Sequence, residues 1–304
     1  MTILVLAIAA VLVGGACFAY FKAFFNPRKG RWDVKPIQKS GYDPYRQEMR
    51  QIYRSLRDRP FEQVSITSKD GLKLTGRYYH TKDGAPLDIG FHGYKSHSTV
   101  DFSGGSELSF ELEHNLLLID QRAHGNSDGH TITFGVKERY DLLEWVHYAV
   151  DRFGADTKIM LYGVSMGAAT VLMASNLDLP ENVKGIVADC PYASPLEIVL
   201  HVGQELPIPR WLMKPFVILG ARFFGGFDID EVTALETVKN TKLPILIIHG
   251  QEDTLVPYTM SKAVKEACPD KVQYHLVPGA EHAISYLVDR EGYRKAVLDF
   301  MAGL

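Results

Sequence analysis

The sequence has few cysteines and no marked excess of charge of either sign. Its three cysteines, Cys17, Cys190 and Cys268, are spread over 304 residues, which argues against a disulfide framework and against a zinc site of the usual close spacing. We expect three buried thiols. The formal net charge is only −3, so no strong positive field favours binding to nucleic acid. We therefore expect no nucleic-acid partner.

The chain also lacks long low-complexity tracts and nucleotide-binding or metal-binding signatures. No G-x-G-x-x-G, phosphate-binding loop or H-E-x-x-H sequence occurs, so neither a metal nor another cofactor is predicted. Hydrophobic residues make up 46% of the chain and charged residues 23%, values typical of globular proteins. Disordered and fibrous classes are excluded on this ground.

The first 25 residues differ from the rest. Ile3 to Phe21 form an uncharged, mostly apolar run that as a helix rises about 28 Å, close to the ~30 Å hydrocarbon thickness of a bilayer. Only Met1 and Thr2 precede it, so the basic start of a secretory signal is missing. The pattern favours an uncleaved membrane anchor over residues 1–25. A processed signal, a lipoprotein leader that uses Cys17, and a soluble helix are the alternatives.

Basic residues follow the apolar run, and Asp33 is the one acidic residue among them. They are Lys22, Arg28, Lys29, Arg31, Lys35 and Lys39. Because basic residues flank a membrane helix on its cytoplasmic side, the sequence predicts that the remainder of the chain lies in the cytoplasm.

Residues 26–60 are predicted to form a linker and a leading helix. After them, Phe61 to His80 alternate around Asp70-Gly71, as in a β-hairpin. Six apolar runs then alternate with helical stretches, which predicts a doubly wound, mostly parallel sheet. The six runs are LDIGF, NLLLID, KIMLYG, VKGIVAD, LPILIIHG and VQYHLVPG. Residues 191–240 contain no strand candidate, so we predict a helical cap inserted in a core of residues 61–190 and 241–304.

A serine lies between two glycines where a predicted strand meets a predicted helix. In the sequence GVSMG, Gly163 and Gly167 leave space for the sharp turn that exposes the hydroxyl of Ser165. Such a turn suits a nucleophilic serine, and the alternative is a serine that only caps the helix. We predict that Ser165 is the nucleophile.

A nucleophilic serine needs a base and an acid that orients the base. His282 and Asp253 lie in loops that follow the last two predicted strands, and such loops converge at one edge of a parallel sheet. We predict that His282 is the base and Asp253 the acid, with Glu252 and Asp189 as rival acids. Two backbone N–H groups, those of Tyr94 and Met166, are predicted to bind the oxyanion.

The sequences HGY, DQRAHGNSDG, GVSMG, HGQEDTLVP and PGAEHA together resemble those of the α/β-hydrolase superfamily. Within it, they resemble the bacterial branch of serine aminopeptidase-like and acyl-thioesterase-like carboxylesterases. The resemblance runs from Phe61 to the carboxy terminus and includes Asp120 to Ser127, a loop that in this superfamily buttresses the sheet beside the active site. It implies the α/β-hydrolase fold, with eight mostly parallel strands and a cap after the sixth.

The predicted function is that of a serine hydrolase of short to medium acyl or aromatic esters, with monoacyl lipids as further candidates. Tyr94, Trp211 and Phe216 are the predicted substrate-binding residues, since the cap is strongly apolar. The alternatives are a thioesterase, an aminopeptidase, and a non-catalytic module tethered to a membrane. An aminopeptidase would use cap acids to bind the substrate amine, and the candidates are Glu197, Glu205, Asp228, Asp230 and Glu231.

Overall fold

A single eight-stranded sheet organises the chain, whose computed structural model describes residues 2–28 and 40–304. The strands are β1 (Glu62–Thr67), β2 (Lys73–Tyr79), β3 (Leu87–Phe91), β4 (Asn115–Asp120), β5 (Ile159–Val164), β6 (Val183–Asp189), β7 (Ile245–Gly250) and β8 (Val272–Val277). Their order across the sheet is β1-β2-β4-β3-β5-β6-β7-β8. The first two strands are antiparallel to their neighbours, and β3 to β8 are parallel. The predicted sheet is confirmed.

Burial on both faces explains the continuous apolar runs of the central strands. Every residue of β3, β4 and β7 is buried, as expected of strands covered by helices on both sides. In the hairpin, β1 is largely exposed and β2 largely buried, and the turn between them contains Gly71 with φ of 85°. Positive φ suits glycine because it has no Cβ.

Helices cover both faces of the sheet. They are α1 (Thr2–Ala19), α2 (Arg46–Asp58), α3 (Ser98–Asp101), α4 (Ser103–Glu111), α5 (Glu138–Phe153), α6 (Met166–Ala174), α7 (Pro195–Val202), α8 (Arg210–Leu219), α9 (Ala234–Thr237), α10 (Tyr258–Ala267), α11 (Ser285–Val288) and α12 (Arg290–Ala302). The helices predicted near 45–59, 136–153, 261–268 and 289–300 are confirmed, with ends that differ by up to three residues.

The segment between β6 and β7 is helical. It contains α7, α8 and α9, and no strand lies between 191 and 240, a segment that the structure describes in full. A π-helical turn, Gly220–Phe224, follows α8 directly. Ser194 begins α7, where its hydroxyl accepts a hydrogen bond from the backbone N–H of Glu197 and satisfies one of the free donors of the first turn.

The N-terminal helix is long and apolar enough to cross a membrane. α1 continues through a π-helical turn, Tyr20–Phe24, and an 18-residue stretch of the combined helix has a mean hydropathy of 2.5. The end of this helix packs in the domain, because Phe24 is fully buried and Phe25 forms an antiparallel β-bridge with Thr131.

The first residues of the predicted linker contact the domain. The backbone N–H of Asn26 donates to the carbonyl of His130, and Arg28 pairs with Asp128. Residues 26–28 therefore pack on the domain. Residues 29–39 lie outside the described part of the chain. They include four of the six basic residues on which the predicted membrane orientation depends.

Candidate active site

Ser165 occupies a strained turn between β5 and α6, in the centre of the sheet. Its φ and ψ are 55° and −112°, values that a non-glycine residue rarely adopts and that are typical of the nucleophile turn in hydrolases. A Cβ at Gly163 would lie 2.4 Å from the carbonyl oxygen of Gly167, and a Cβ at Gly167 would lie 1.8 Å from that of Phe91. Any larger residue at either position therefore disrupts the turn.

Three side chains from separate loops meet at this turn. The Nε2 atom of His282 lies 3.0 Å from the Oγ atom of Ser165, and its Nδ1 atom lies 2.7 Å from Oδ2 of Asp253. All three are buried. With the proton on Nδ1 donated to Asp253, Nε2 is free to accept the proton of the serine hydroxyl. The side chain of Ser165 makes no hydrogen bond to α6. Its hydroxyl therefore does not cap this helix, which is the alternative prediction for this serine.

Asp253 is held as an anion. Its Oδ1 atom accepts hydrogen bonds from the backbone N–H groups of Leu255 and Val256, and Nε2 of His249 lies 3.2 Å from Oδ2. Burial alone would raise the pKa of Asp253, but the charge of His282 and these hydrogen bonds lower it well below its usual range. A permanent negative charge at this position favours the imidazolium that forms when His282 takes a proton.

The two rival acids lie in different surroundings. Glu252 is exposed. Asp189 is buried beside the site, and burial raises the pKa of its carboxyl to about 6. Of the three carboxylates, Asp253 is the one hydrogen-bonded to His282.

The N–H groups of Tyr94 and Met166 belong to the loop after β3 and to the first residue of α6. No hydrogen bond to either group is found in the part of the chain that the structure describes. Unsatisfied N–H groups beside a nucleophile suit the binding of an oxyanion. Gly93 allows the close approach, since a Cβ there would lie 3.3 Å from Cβ of Ser165.

Polar side chains hold the Tyr94 loop in place. The carboxylate of Asp101 accepts hydrogen bonds of 2.6 Å from the backbone N–H of Gly93 and from the hydroxyl of Ser96. The Nε2 atom of His124 accepts from the backbone N–H of Lys95 at 3.0 Å. Sequence reasoning missed Asp101, because its contacts depend on a loop conformation that no motif specifies.

The loop from Asp120 to Ser127 links the hairpin to the helical layer. Arg122 is buried and donates hydrogen bonds to Asp141 in α5 and to Asp70 in the hairpin turn. The hydrogen bond from Arg122 holds the pKa of Asp70 at about 2. These hydrogen bonds place the loop where the resemblance to the α/β-hydrolase superfamily implies, as a support of the sheet.

Tyr42 contacts the loop of His282 from the N-terminal side. It is buried, and its hydroxyl donates a 2.5 Å hydrogen bond to the backbone carbonyl of His282. Its neighbour Gly41 packs against Glu281. No sequence motif marks Tyr42, and a contact across 240 positions of chain has no local signal.

A cavity of about 660 Å³ opens beside Ser165 and His282. Its apolar walls come from α2, from the α3–α4 region and from the loop and helices after His282, and include Met49, Ile52, Phe102, Leu108, Tyr286 and Leu287. Tyr94 lines it as predicted. Sequence reasoning missed the contribution of α2, because that helix precedes every recognisable motif.

The cap does not line this cavity. None of residues 191–240, all of them described, belongs to its wall. Trp211 is 76% exposed, and the ring of Phe216 packs against Gly15 of α1. Trp211 and Phe216, which are predicted to bind substrate, therefore do not line this cavity. Two of the five acidic residues of the cap form ion pairs with neighbouring arginines. These pairs are Glu197 with Arg210 and Glu231 with Arg139.

One group of side chains near the site has the composition of a metal site. Ligand atoms of Cys190, Asp253 and His282 lie within 4.8 Å of one another. Asp253 and His282 are hydrogen-bonded to each other. Burial raises the pKa of the Cys190 thiol well above its usual value, and a neutral thiol is a poor metal ligand. Cys190 is a buried thiol as expected, whereas Cys17 and Cys268 are half-buried.

The strand order, the turn at Ser165 and the helical insertion after β6 define the α/β-hydrolase fold, and similarity to known proteins supports membership of the α/β-hydrolase superfamily. The sequence profile of the α/β-hydrolase fold matches residues 90–236. The uncharacterized protein YqkD of Bacillus subtilis (strain 168) is 25% identical over 295 residues, which are 97% of this chain and 94% of that protein.

Solved structures show the same similarity. The esterase Pf2001 of Pyrococcus furiosus superposes with a TM-score of 0.62 and 25% identity, over 82% of this chain and 92% of its own. Est1E of Butyrivibrio proteoclasticus with bound ferulic acid superposes with a TM-score of 0.60 at 22% identity, over 79% of this chain and 98% of its own, and shows the shared fold. Together with the family, the esterase neighbours support hydrolytic, esterase-type activity.

Proposed function

We propose that this protein is a serine hydrolase that cleaves carboxylic esters. The observation that carries the proposal is the hydrogen-bonded series from Asp253 through His282 to Ser165, at the wall of a cavity large enough for a small ester. A serine at its ordinary pKa is a weak nucleophile, and this series supplies the base that activates it.

The reaction proceeds in two halves. Ser165 attacks the acyl carbonyl while Nε2 of His282 takes its proton, and the oxyanion is bound by the N–H groups of Tyr94 and Met166. His282 then gives the proton to the leaving alcohol, and an acyl-enzyme remains on Ser165. Water, activated by the same histidine, releases the acid. Each oxyanion donor stabilises the transition state by about 3 to 4 kcal/mol.

The cavity supports a short to medium acyl chain or an aromatic acyl group. Its lining includes apolar residues, among them Leu108, Tyr162 and Val187. Polar groups, among them Arg46 and Lys95, lie elsewhere along the cavity. A volume of about 660 Å³ falls inside the range of small-molecule sites. Monoacyl lipids are the further candidate substrates.

The alternatives differ in their requirements. An aminopeptidase needs acids that face the substrate amine, and the five cap acids lie outside the cavity wall, which favours the esterase. A thioesterase uses the same residues and differs in its leaving group. A non-catalytic module needs no reactive serine, so serine reactivity separates it from all three enzymes.

We also propose that α1 is a membrane anchor and that the hydrolase domain faces the cytoplasm. The length and hydropathy of the helix support the anchor. The bias of basic residues after the apolar run supports the orientation. A small ester or lipid and the membrane are then the partners of the protein.

Reactivity with a fluorophosphonate probe and turnover of p-nitrophenyl esters test the proposal. We expect Ser165→Ala to abolish labelling and to remove nearly all turnover. Ser175→Ala is the matched control. Ser175 ends α6, and its buried hydroxyl has no hydrogen-bond partner in the described residues, so its loss should leave both readouts unchanged. Equal turnover by wild type and Ser165→Ala would contradict the proposal.

A further inference from the structure

The N-terminal helix is free of the domain over only part of its length. Residues 2–14 are all exposed, and Gly15 is the first residue of the helix that is partly buried. The part of α1 before Gly15 rises about 20 Å at 1.5 Å per residue. The hydrocarbon core of a bilayer is ~30 Å thick. A helix that spans the bilayer therefore needs roughly 10 Å more of its length inside the hydrocarbon. In α1, this additional length comes from the section that begins at Gly15 and is packed against the domain.

The packing partner of that section is the cap. A Cβ at Gly15 would meet the ring of Phe216 in α8, and a Cβ at Gly220 would lie 2.7 Å from the carbonyl oxygen of Ala16. Small residues at these positions allow close contact of the two helices, as in packed membrane helices. The end of α1 and the cap therefore form one unit, and a bilayer that contains the end of α1 also contacts the cap.

The cap also carries exposed apolar side chains, and the ring of one of them, Phe224, lies 6.0 Å from the ring of Tyr20 at the end of α1. We call this set of side chains the cap face, and it consists of Leu206, Trp211, Leu212, Phe223 and Phe224. Trp211 is 76% and Phe223 is 74% exposed. Residues 206–224 contain three basic residues and no acidic residue. Exposed aromatic and aliphatic residues combined with basic ones are typical of helices that lie in the membrane interface.

The end of α1 also lies beside the proposed active site. The hydroxyl of Tyr94 donates a 2.8 Å hydrogen bond to the carbonyl of Ala23 in the π-helical turn. Asn26, two residues beyond that turn, lines the cavity. A bilayer that contains the end of α1 is therefore close to the cavity.

We propose that the cap face lies in the interfacial layer of a lipid bilayer, beside the last turns of α1, and that ester substrates enter the cavity from that layer. The occupant of the cap face is the bilayer itself, because Phe224 of this face contacts Tyr20 at the end of a helix of membrane-spanning length. The statement about substrate entry rests on the proposed esterase function. The statement about the cap face does not.

Fluorescence of Trp211 tests the position of the cap face. The full chain is reconstituted in phosphatidylcholine vesicles whose acyl chains are brominated either near the glycerol or near the methyl end. Subtraction of the Trp211→Phe spectrum isolates Trp211 from Trp32 and Trp145. We expect bromine near the glycerol to reduce the Trp211 emission about twofold, since interfacial helices insert ~5–10 Å, and bromine near the methyl end to reduce it less.

Charged substitutions supply the second arm. Leu212→Asp combined with Phe223→Asp should abolish the quenching of Trp211. The control is Leu304→Asp, because Leu304 is 48% exposed and packs near Gly185 in the first half of β6, away from the strand ends that form the site. This control should leave the quenching unchanged. Equal Trp211 emission with and without brominated lipid overturns the proposal, and a second copy of the chain covering the face would produce that result.

Activity on two substrates separates substrate entry from catalysis. The double substitution should lower turnover of a monoacylglycerol in vesicles about tenfold, which corresponds to about 1.4 kcal/mol, and leave turnover of a water-soluble ester unchanged. An equal effect on both substrates overturns entry from the bilayer. No turnover of either substrate by the wild type contradicts the proposed function, while the fluorescence result still decides the position of the cap face.

Discussion

The hydroxyl of Tyr42 donates a 2.5 Å hydrogen bond to the backbone carbonyl of His282. Tyr42 lies in a 3₁₀ turn, Ser40–Tyr45, that leads into α2. Since α2 also lines the cavity, the N-terminal part of the chain both positions the proposed base and contributes to the substrate site. The hydrolase core and its N-terminal extension therefore form one functional unit.

Tyr42→Phe removes this hydrogen bond and retains the ring. We expect kcat to fall roughly threefold to tenfold with little change in KM, because the loop of His282 loses one restraint, and stability to fall by about 1 kcal/mol. The measurement is steady-state hydrolysis of a soluble ester. Tyr45→Phe, in the same turn, is the control for loss of a tyrosine hydroxyl. An unchanged kcat would show that Tyr42 does not position the base.

Asp101 is expected to matter for the oxyanion site. Its carboxylate binds the backbone N–H of Gly93 and the hydroxyl of Ser96 at 2.6 Å each, and so fixes the loop that carries the N–H of Tyr94. Loss of one oxyanion donor costs about a hundredfold or more in kcat. Asp101→Ala, which displaces the donor without removing it, should lower kcat by about tenfold to a hundredfold.

Ser96→Ala is the control for Asp101, because it removes one partner of the carboxylate and leaves the bond to Gly93. We expect it to lower kcat only a few-fold, since a single neutral hydrogen bond contributes about 1 kcal/mol. If Asp101→Ala changed KM and left kcat unaltered, Asp101 would act in substrate binding instead. The rate of fluorophosphonate labelling, which also depends on the oxyanion site, provides an independent readout.

The position of the cavity predicts which substitutions alter acyl-chain preference. Leu108 in α4 lines the cavity, whereas Trp211 in the cap does not. Leu108→Phe adds volume to the wall, and one methylene in an apolar pocket is worth about 1 to 3 kcal/mol. We expect the ratio of kcat/KM for butyrate and octanoate p-nitrophenyl esters to rise about tenfold or more. Trp211→Ala should leave this ratio unchanged, and a change there would favour the original assignment of substrate binding to the cap.

Features encoded by local patterns could be predicted from the sequence. The parallel strands are predictable because strands buried on both faces are continuous apolar runs. The turn at Ser165 is predictable because its close contacts at Gly163 and Gly167 leave no space for a side chain. The convergence of His282 and Asp253 on Ser165 follows from the common direction of the strands before their loops.

The walls of the cavity could not be predicted in this way. Met49 and Leu108 occupy amphipathic or apolar helices, and their patterns show only that one face is buried. Whether that face contacts another helix or a cavity depends on packing between distant segments. The apolar residues of the cap illustrate the same ambiguity, since Phe216 packs on α1 and Trp211 is exposed.

The pKa of Asp189 predicts how stability depends on pH. Burial raises this pKa to about 6, against about 3.9 in an unfolded chain. Between these values Asp189 binds more protons in the folded state than in the unfolded state, so its contribution to the free energy of unfolding falls as pH rises from 4 to 6. Asp189→Asn removes the titrating group, while the backbone carbonyl that accepts the N–H of Ser165 remains.

We therefore expect Asp189→Asn to gain stability relative to wild type as pH rises from 4 to 7, by about 2 to 3 kcal/mol at most. Burial also raises the pKa of Asp141 to about 6, but Asp141 is present in both proteins, so its contribution cancels in the comparison. The measurement is chemical denaturation in detergent micelles at several pH values. Parallel curves for the two proteins would mean that Asp189 titrates alike in the folded and unfolded states, and that its burial is offset by partners such as Tyr293, whose hydrogen bond lowers the pKa of Asp189.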